Sequence, residues 1–227
     1  MEAARSCEGA LMAQVFPASA NTIAKLSLIL TGLGTVGLIA GGMALTRSGY
    51  NTKVDVPLEQ PVPFSHEHHA NELGIDCRYC HSTVEKSSFA GMPATATCMG
   101  CHSVLFADAP ILEPVRASLR ENEPIEWTRV YDLPDFVYFN HSIHVAKGIG
   151  CTSCHGEIGR MPLTLKASSL KMEWCVACHR DPAQHVRPRS EVFNPDWDPA
   201  TLSETQRAAL VEEYRIQSKT SCSVCHR

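Results

Sequence analysis

The sequence predicts short helices and loops with little β-structure, wrapped around rigid groups that are not polypeptide and preceded by one helix of membrane-spanning length. Three observations predict it. Five C-x-x-C-H motifs recur between Cys77 and His226. Thirteen prolines follow Tyr50 and cut the chain into pieces too short for long helices or strands. Twenty residues from Leu26 to Leu45 carry no charge, enough to cross a bilayer core as a helix.

The motifs are Cys77-x-x-Cys80-His81, Cys98-x-x-Cys101-His102, Cys151-x-x-Cys154-His155, Cys175-x-x-Cys178-His179 and Cys222-x-x-Cys225-His226. Two thiols at this spacing can each form a thioether to a vinyl group of one haem, and the adjoining histidine then reaches the iron as proximal ligand. Zinc half-sites and redox dithiols also use C-x-x-C, but neither needs histidine in the fifth place every time. With histidine at 11 of 227 positions, five such coincidences have a chance of about one in a million. Five covalently bound haem c groups are therefore expected. Ten of the eleven cysteines are consumed, only Cys7 is left over, and no disulfide framework is available. The residues after Tyr50 amount to about 35 per motif, too few for an apolar core around each, so the porphyrins are expected to be the core.

The elements follow in order. Residues 1–21 are expected as a cytoplasmic N-terminal segment; Met12 offers an alternative start that would remove Cys7. Residues 22–46 are expected as a transmembrane anchor helix. Gly42-Met43-Ala44 could pass as a cleavage site, but a cleaved signal peptide has an apolar stretch of only about 7 to 15 residues, so a retained anchor is the reading. Gly37-x-x-x-Gly41 has the spacing that lets a partner helix approach closely. Lys25 before the segment and Arg47 and Lys53 after it leave the positive-inside rule near a tie. The motifs decide the orientation, because haem is attached to them outside the cytoplasm: a single-pass protein of the bacterial inner membrane, with the haem domain on the periplasmic side. Residues 47–63 are the linker.

Residues 64–138 and 139–227 hold an internal repeat. Phe64-Ser-His66-x-x-His69, then Gly74, then two motifs is echoed by Phe139-Asn-His141-x-x-His144, then Gly148, then two motifs. The segment 103–138 is expected as a proline-broken connector. Histidines at i and i+3 lie on neighbouring faces of one helical turn. His66, His69, His141 and His144 are expected to be the distal ligands of four irons, since low-spin electron-transfer haems need a second axial ligand. Two such ligands on one turn would hold two haems close together.

The fifth motif stands outside the repeat. For its iron Met161 is the first candidate, then Met172, then His185; thioether sulfur is a common sixth ligand. A T-x-x-E capping box, Thr201 with Glu204, is expected to open a helix through LSETQRAALVEEYRIQS that leads to this motif.

The sequences PFSHEHHANELGIDCRYCHSTVEKS, FNHSIHVAKGIGCTSCH and KMEWCVACHRDP resemble the class III, or c7-like, multihaem cytochromes c. The whole arrangement is similar to the pentahaem subunit of alternative complex III. That resemblance implies a membrane complex that oxidises quinol and passes electrons to a periplasmic cytochrome c or a terminal oxidase. It implies as partners integral-membrane quinol-binding subunits, an iron–sulfur subunit and a monohaem cytochrome c. A membrane quinol dehydrogenase of the NapC/NrfH type is the alternative, weakened by the thirty or so residues between Leu45 and Cys77. A multihaem catalytic reductase is a further alternative and would need an iron with one open face. No acid, base or nucleophile of a substrate pocket stands out. A net charge of −4, made more negative by haem propionates, argues against nucleic acid.

Overall fold

The computed structural model describes residues 15–226, and the chain divides into two units, one ending at Thr52 and one spanning Lys53–Arg227. Met1, Cys7 and Met12 lie outside the described residues.

In the first unit, α1 covers Ala20–Arg47, starting two residues before the expected 22 and ending one beyond 46. Twenty-eight residues make a helix about 42 Å long. It is long and apolar enough to cross a membrane, and none of its side chains is buried. Its hydroxyls fold back on the preceding turn: Ser27 donates to Ala24 O, Thr35 to Thr31 O and Thr46 to Met43 O. A helix serine or threonine that caps itself this way adds no unpaired donor to an apolar surface. Ser48 closes the helix by donating its hydroxyl to Leu45 O at 2.6 Å, and the short α2 (Gly49–Thr52) follows.

The second unit consists of short helices: a π turn at Glu67–Glu72, then α3 (Cys77–Cys80), α4 (Thr95–His102), α5 (Glu113–Glu121), α6 (His141–Ala146), α7 (Thr152–His155), α8 (Met172–Arg180), α9 (Glu204–Glu213) and α10 (Cys222–Cys225). There is no strand among the described residues; isolated bridges join Val54 to Lys166, Val137 to His226 and Ile149 to Val186. Helices and loops with almost no β-structure are what the prolines predict. Four of the C-x-x-C pairs lie within one of these helices and the third has Cys151 as the N-cap of α7, so the two thiols of a motif are about one turn apart.

The polypeptide buries little of its own. Val62, Val84, Val115, Val186, Val192 and Tyr214 are the buried apolar side chains among the described residues. Six residues cannot hold some 175 together by apolar burial, which fits a core made of flat, apolar, covalently held rings.

Two expectations change. The connector 103–138 contains α5, which begins at Pro114 in its first turn and stops at Asn122 in the left-handed region. It packs on α4, with Thr95 and Ser118 sharing a hydrogen bond of 2.7 Å. The capping box of α9 is Ser203 with Gln206, not Thr201 with Glu204. Pro199–Thr201 is a separate 3-10 turn capped by Asp198, and the Thr201 hydroxyl donates back to Asp198 O. Proline at the first position starts that turn, which places the real N-cap two residues later.

Candidate metal centres

The two copies of F-x-H-x-x-H fold around the same aromatic clamp. Phe64 meets His66 edge-on (4.9 Å, 88°) and stacks on His69 (4.5 Å, 23°). Phe139 meets His141 edge-on (4.8 Å, 90°) and stacks on His144 (4.5 Å, 26°). The phenylalanine, two residues ahead of the first histidine, thus fixes both imidazole planes.

Backbone carbonyls fix which nitrogen is free. Nδ1 of His69 lies 2.8 Å from Ser65 O, and Nδ1 of His144 lies 2.7 Å from Asn140 O. Nδ1 of His141 reaches Ser88 O at 2.8 Å, that of His81 reaches Gly91 O at 2.7 Å, that of His102 reaches Leu105 O at 3.1 Å, and that of His226 reaches Phe136 O at 3.2 Å. A carbonyl can only accept, so in these six rings Nδ1 carries the proton and Nε2 presents its lone pair. That is the tautomer an imidazole needs to bind a metal through Nε2, with the carbonyl as its orienting partner. Nδ1 of His66 pairs instead with the Thr164 hydroxyl at 3.1 Å.

The rings also face one another at a telling distance. Centroids of His69 and His102 are 6.2 Å apart, those of His141 and His155 are 6.4 Å apart, and those of His144 and His179 are 6.1 Å apart. An imidazole nitrogen sits about 2 Å from a first-row metal, so two rings on opposite sides of one ion have centroids about 6 Å apart. All three separations match. Burial first, then the charges of His81 and His69, push the His66 imidazole down to about 4. Burial, followed by His141, His81 and His66, likewise lowers His155 to about 4, and burial lowers His144. Neutral imidazoles are the form that ligates.

The motifs contact each other in pairs. Tyr79 of the first and Gly100 of the second approach so that a Cβ on Gly100 would stand 3.9 Å from the Tyr79 hydroxyl. Cys77 Sγ of the first motif and Cys151 N of the third bond to adjacent carbonyls, Phe193 O at 4.0 Å and Val192 O at 3.4 Å. The third and fourth share α6, whose His141 and His144 face His155 and His179. The fourth and fifth are tied by the Ser218 hydroxyl, four residues before Cys222, which donates to His179 O at 2.9 Å. Tyr138, beside Phe139, donates its N–H to Cys225 O at 2.8 Å.

The remaining expected residues are placed as follows. Met161 stands at the first histidine turn: its carbonyl accepts from Glu67 N at 3.1 Å and its sulfur from Leu165 N at 3.5 Å. Met172 opens α8 and is exposed. His185 lines a cavity of about 220 Å³ with Thr152, Ser153, Arg187 and Trp197. His226 packs against the Phe136 ring at 5.7 Å. His68 is an exposed partner of Glu72 at 2.7 Å.

Two site residues escape a reading of the sequence. Tyr131, from the connector, packs edge-on against His155 at 4.3 Å while its hydroxyl donates to Leu165 O and accepts from Ala167 N. Arg187 is 3% exposed, lies over the Trp197 ring at 4.3 Å, and donates to the Thr152 hydroxyl of the third motif at 2.9 Å and to the carbonyls of Glu191 and Asn194. Gly150 admits it, because a Cβ there would overlap the guanidinium. No local motif announces either residue.

Reduced thiol pairs one turn apart, imidazoles locked in the metal-binding tautomer, facing rings at the separation an ion requires and a minimal polypeptide core all fit haem c. Residues 137–227 match the family model for cytochrome c7 and related cytochrome c. Over 199 residues, covering 85% of this chain and 86% of the relative, the sequence is 31% identical to the menaquinone reductase, multiheme cytochrome c subunit, of Nitratidesulfovibrio vulgaris strain Hildenborough. The chain belongs to this c7-related family of multihaem cytochromes c, and covalently bound haem c is its cofactor.

Proposed function

We propose that the chain is a membrane-anchored pentahaem electron relay within a quinone-linked respiratory complex. The observation that carries this is the facing of His69 with His102, His141 with His155 and His144 with His179 at 6.1 to 6.4 Å. Irons held between such pairs would have no position open to substrate, which supports electron relay as the role of the protein. Haem iron, when bound, supplies the reversible one-electron carrier.

The chain's own residues have the following roles. The ten motif cysteines, Cys77 to Cys225, hold the thioethers, and His81, His102, His155, His179 and His226 are the proximal ligands. His66, His69, His141 and His144 would be the distal ligands of the first, second, third and fourth irons respectively. For the fifth iron the placement of the residues favours Met172, on the helix of the neighbouring fourth motif, over Met161, which is held at the first histidine turn, and over His185. Phe64 and Phe139 orient the distal rings, and α1 anchors the protein with the haem domain on the periplasmic side.

The resemblance to alternative complex III supports quinol oxidation, with electrons leaving to a periplasmic cytochrome c or a terminal oxidase by way of iron–sulfur and monohaem subunits. The relative's name supports a second reading, electron delivery to menaquinone. Solubilisation in mild detergent and mass spectrometry of the co-purified subunits test membership of a complex. Comparing quinol-dependent cytochrome reduction with cytochrome-dependent menaquinone reduction in that preparation decides the direction. A protein that leaves membranes alone in a carbonate wash, with an iron that binds added cyanide at once, would overturn the relay reading.

A further inference from the structure

We infer that the five haem-bearing motifs stand in single file in the order second, first, third, fourth, fifth, and that electrons enter and leave at the second and fifth. The inference rests on the relay reading and adds to it the path and its two ports.

Four junctions define the file. Tyr79 against Gly100 joins first to second, and His69 on the π turn faces His102 of the second. The neighbouring residues Val192, whose carbonyl accepts from Cys151 N, and Phe193, whose carbonyl lies 4.0 Å from Cys77 Sγ, join first to third. α6 joins third to fourth through His141 and His144. The Ser218 bond to His179 O and the Tyr138 bond to Cys225 O join fourth to fifth, Tyr138 being next to the Phe139 that stacks on His144. Each junction links motifs that share a turn or a backbone segment. The chain order of the first two motifs is reversed in space, because the contacts to the third motif are made by the first.

Exposure locates the ends independently. Among the ten motif cysteines, Cys101 and Cys222 are exposed and the other eight are partly covered. Cys101 belongs to the second motif and Cys222 to the fifth. The third motif, in the middle of the file, is braced by buried Arg187 and by Tyr131. A carrier reached by an external donor or acceptor must have an accessible edge, and one that only passes electrons along need not. At one port a reduced one-electron centre of a partner loses an electron, and at the other an oxidised centre gains it, so the file itself is unchanged after each transfer.

The test is a structure of the haem-loaded full chain in its native membrane complex, read for iron neighbours. The expected result is that the first iron lies nearest the second and third, the fourth lies nearest the third and fifth, and the second and fifth haems have the most accessible edges and face the neighbouring redox subunits. A second iron closer to the third than to the first would overturn the order. A partner centre closest to the first, third or fourth haem would overturn the ports. Coordination is read separately in the same map: open sixth positions would contradict the relay reading while leaving the order to be judged from the irons.

Discussion

The first and second histidine turns build the same aromatic clamp on different backbones. Between His69 and Gly74 there are four intervening residues, and between His144 and Gly148 there are three. The longer copy folds as the π turn Glu67–Glu72 and the shorter as the α-helix α6. The widened turn, with Leu73 N donating to His68 O, takes up the additional residue. Downstream the copies are back in register. Ile75 N donates to His69 O and Ile149 N to His144 O, both at 3.0 Å, while Gly74 and Gly148 have φ of 64° and 75°. Both clamp geometries agree within a few degrees. What the fold preserves is the position of two imidazoles against a phenylalanine, the second of them held by the carbonyl four residues back, and helix type yields to it.

The strongest way to break this equivalence is to remove one ring from each copy. His144→Ala and His69→Ala should each keep all thioethers, because attachment uses only the C-x-x-C-H residues. Each should convert one iron to high spin and slow electron flow through the chain at least about tenfold. Electron paramagnetic resonance and turnover are the measurements. An effect in one copy and silence in the other would show that the resemblance of the turns is only geometric.

The glycines should differ. A Cβ at Gly148 would meet Arg187 O and the Tyr214 ring, whereas nothing lies within 4 Å of one at Gly74. Gly148→Ala should therefore cost about 2–4 kcal/mol, combining left-handed strain with steric displacement, and Gly74→Ala about 1–2 kcal/mol from strain alone. Thermal unfolding of the haem-loaded chain reads both. Phe64→Leu and Phe139→Leu should each cost about 1 kcal/mol through the lost ring–ring contact, and should broaden the low-spin signal of the haems concerned. The smallest effect is expected from deleting Asn71, an exposed residue of the π turn. That deletion should turn the first copy into an α-helix like the second, with stability changed by about 0.5 kcal/mol or less and the spin state intact. A high-spin signal in this variant would mean that the π turn itself places His66 or His69.

How far the sequence reveals this arrangement depends on the range of the interaction. The motifs and histidine turns are legible because both are local patterns, fixed residue types at fixed spacing. The unequal lengths from His69 to Gly74 and from His144 to Gly148 are visible too, although their resolution as a π turn is a backbone property that no residue type signals. Partnering of rings is not legible, since His69 and His102 meet across 33 positions of chain. Nor are Tyr131 and Arg187, which reach the third motif from a connector and a late loop. The displaced capping box shows the opposite limit: Ser203 with Gln206 and Thr201 with Glu204 fit local patterns equally well, and Pro199 decided between them.

The central claim is that imidazoles close both faces of four irons. Near-infrared magnetic circular dichroism of the oxidised haem-loaded chain measures this directly, because the charge-transfer band of a low-spin haem reports its axial pair. The account predicts five haems by pyridine haemochrome, four of them with bis-imidazole bands and one with a different axial set. Two or more high-spin haems in the intact protein would contradict it.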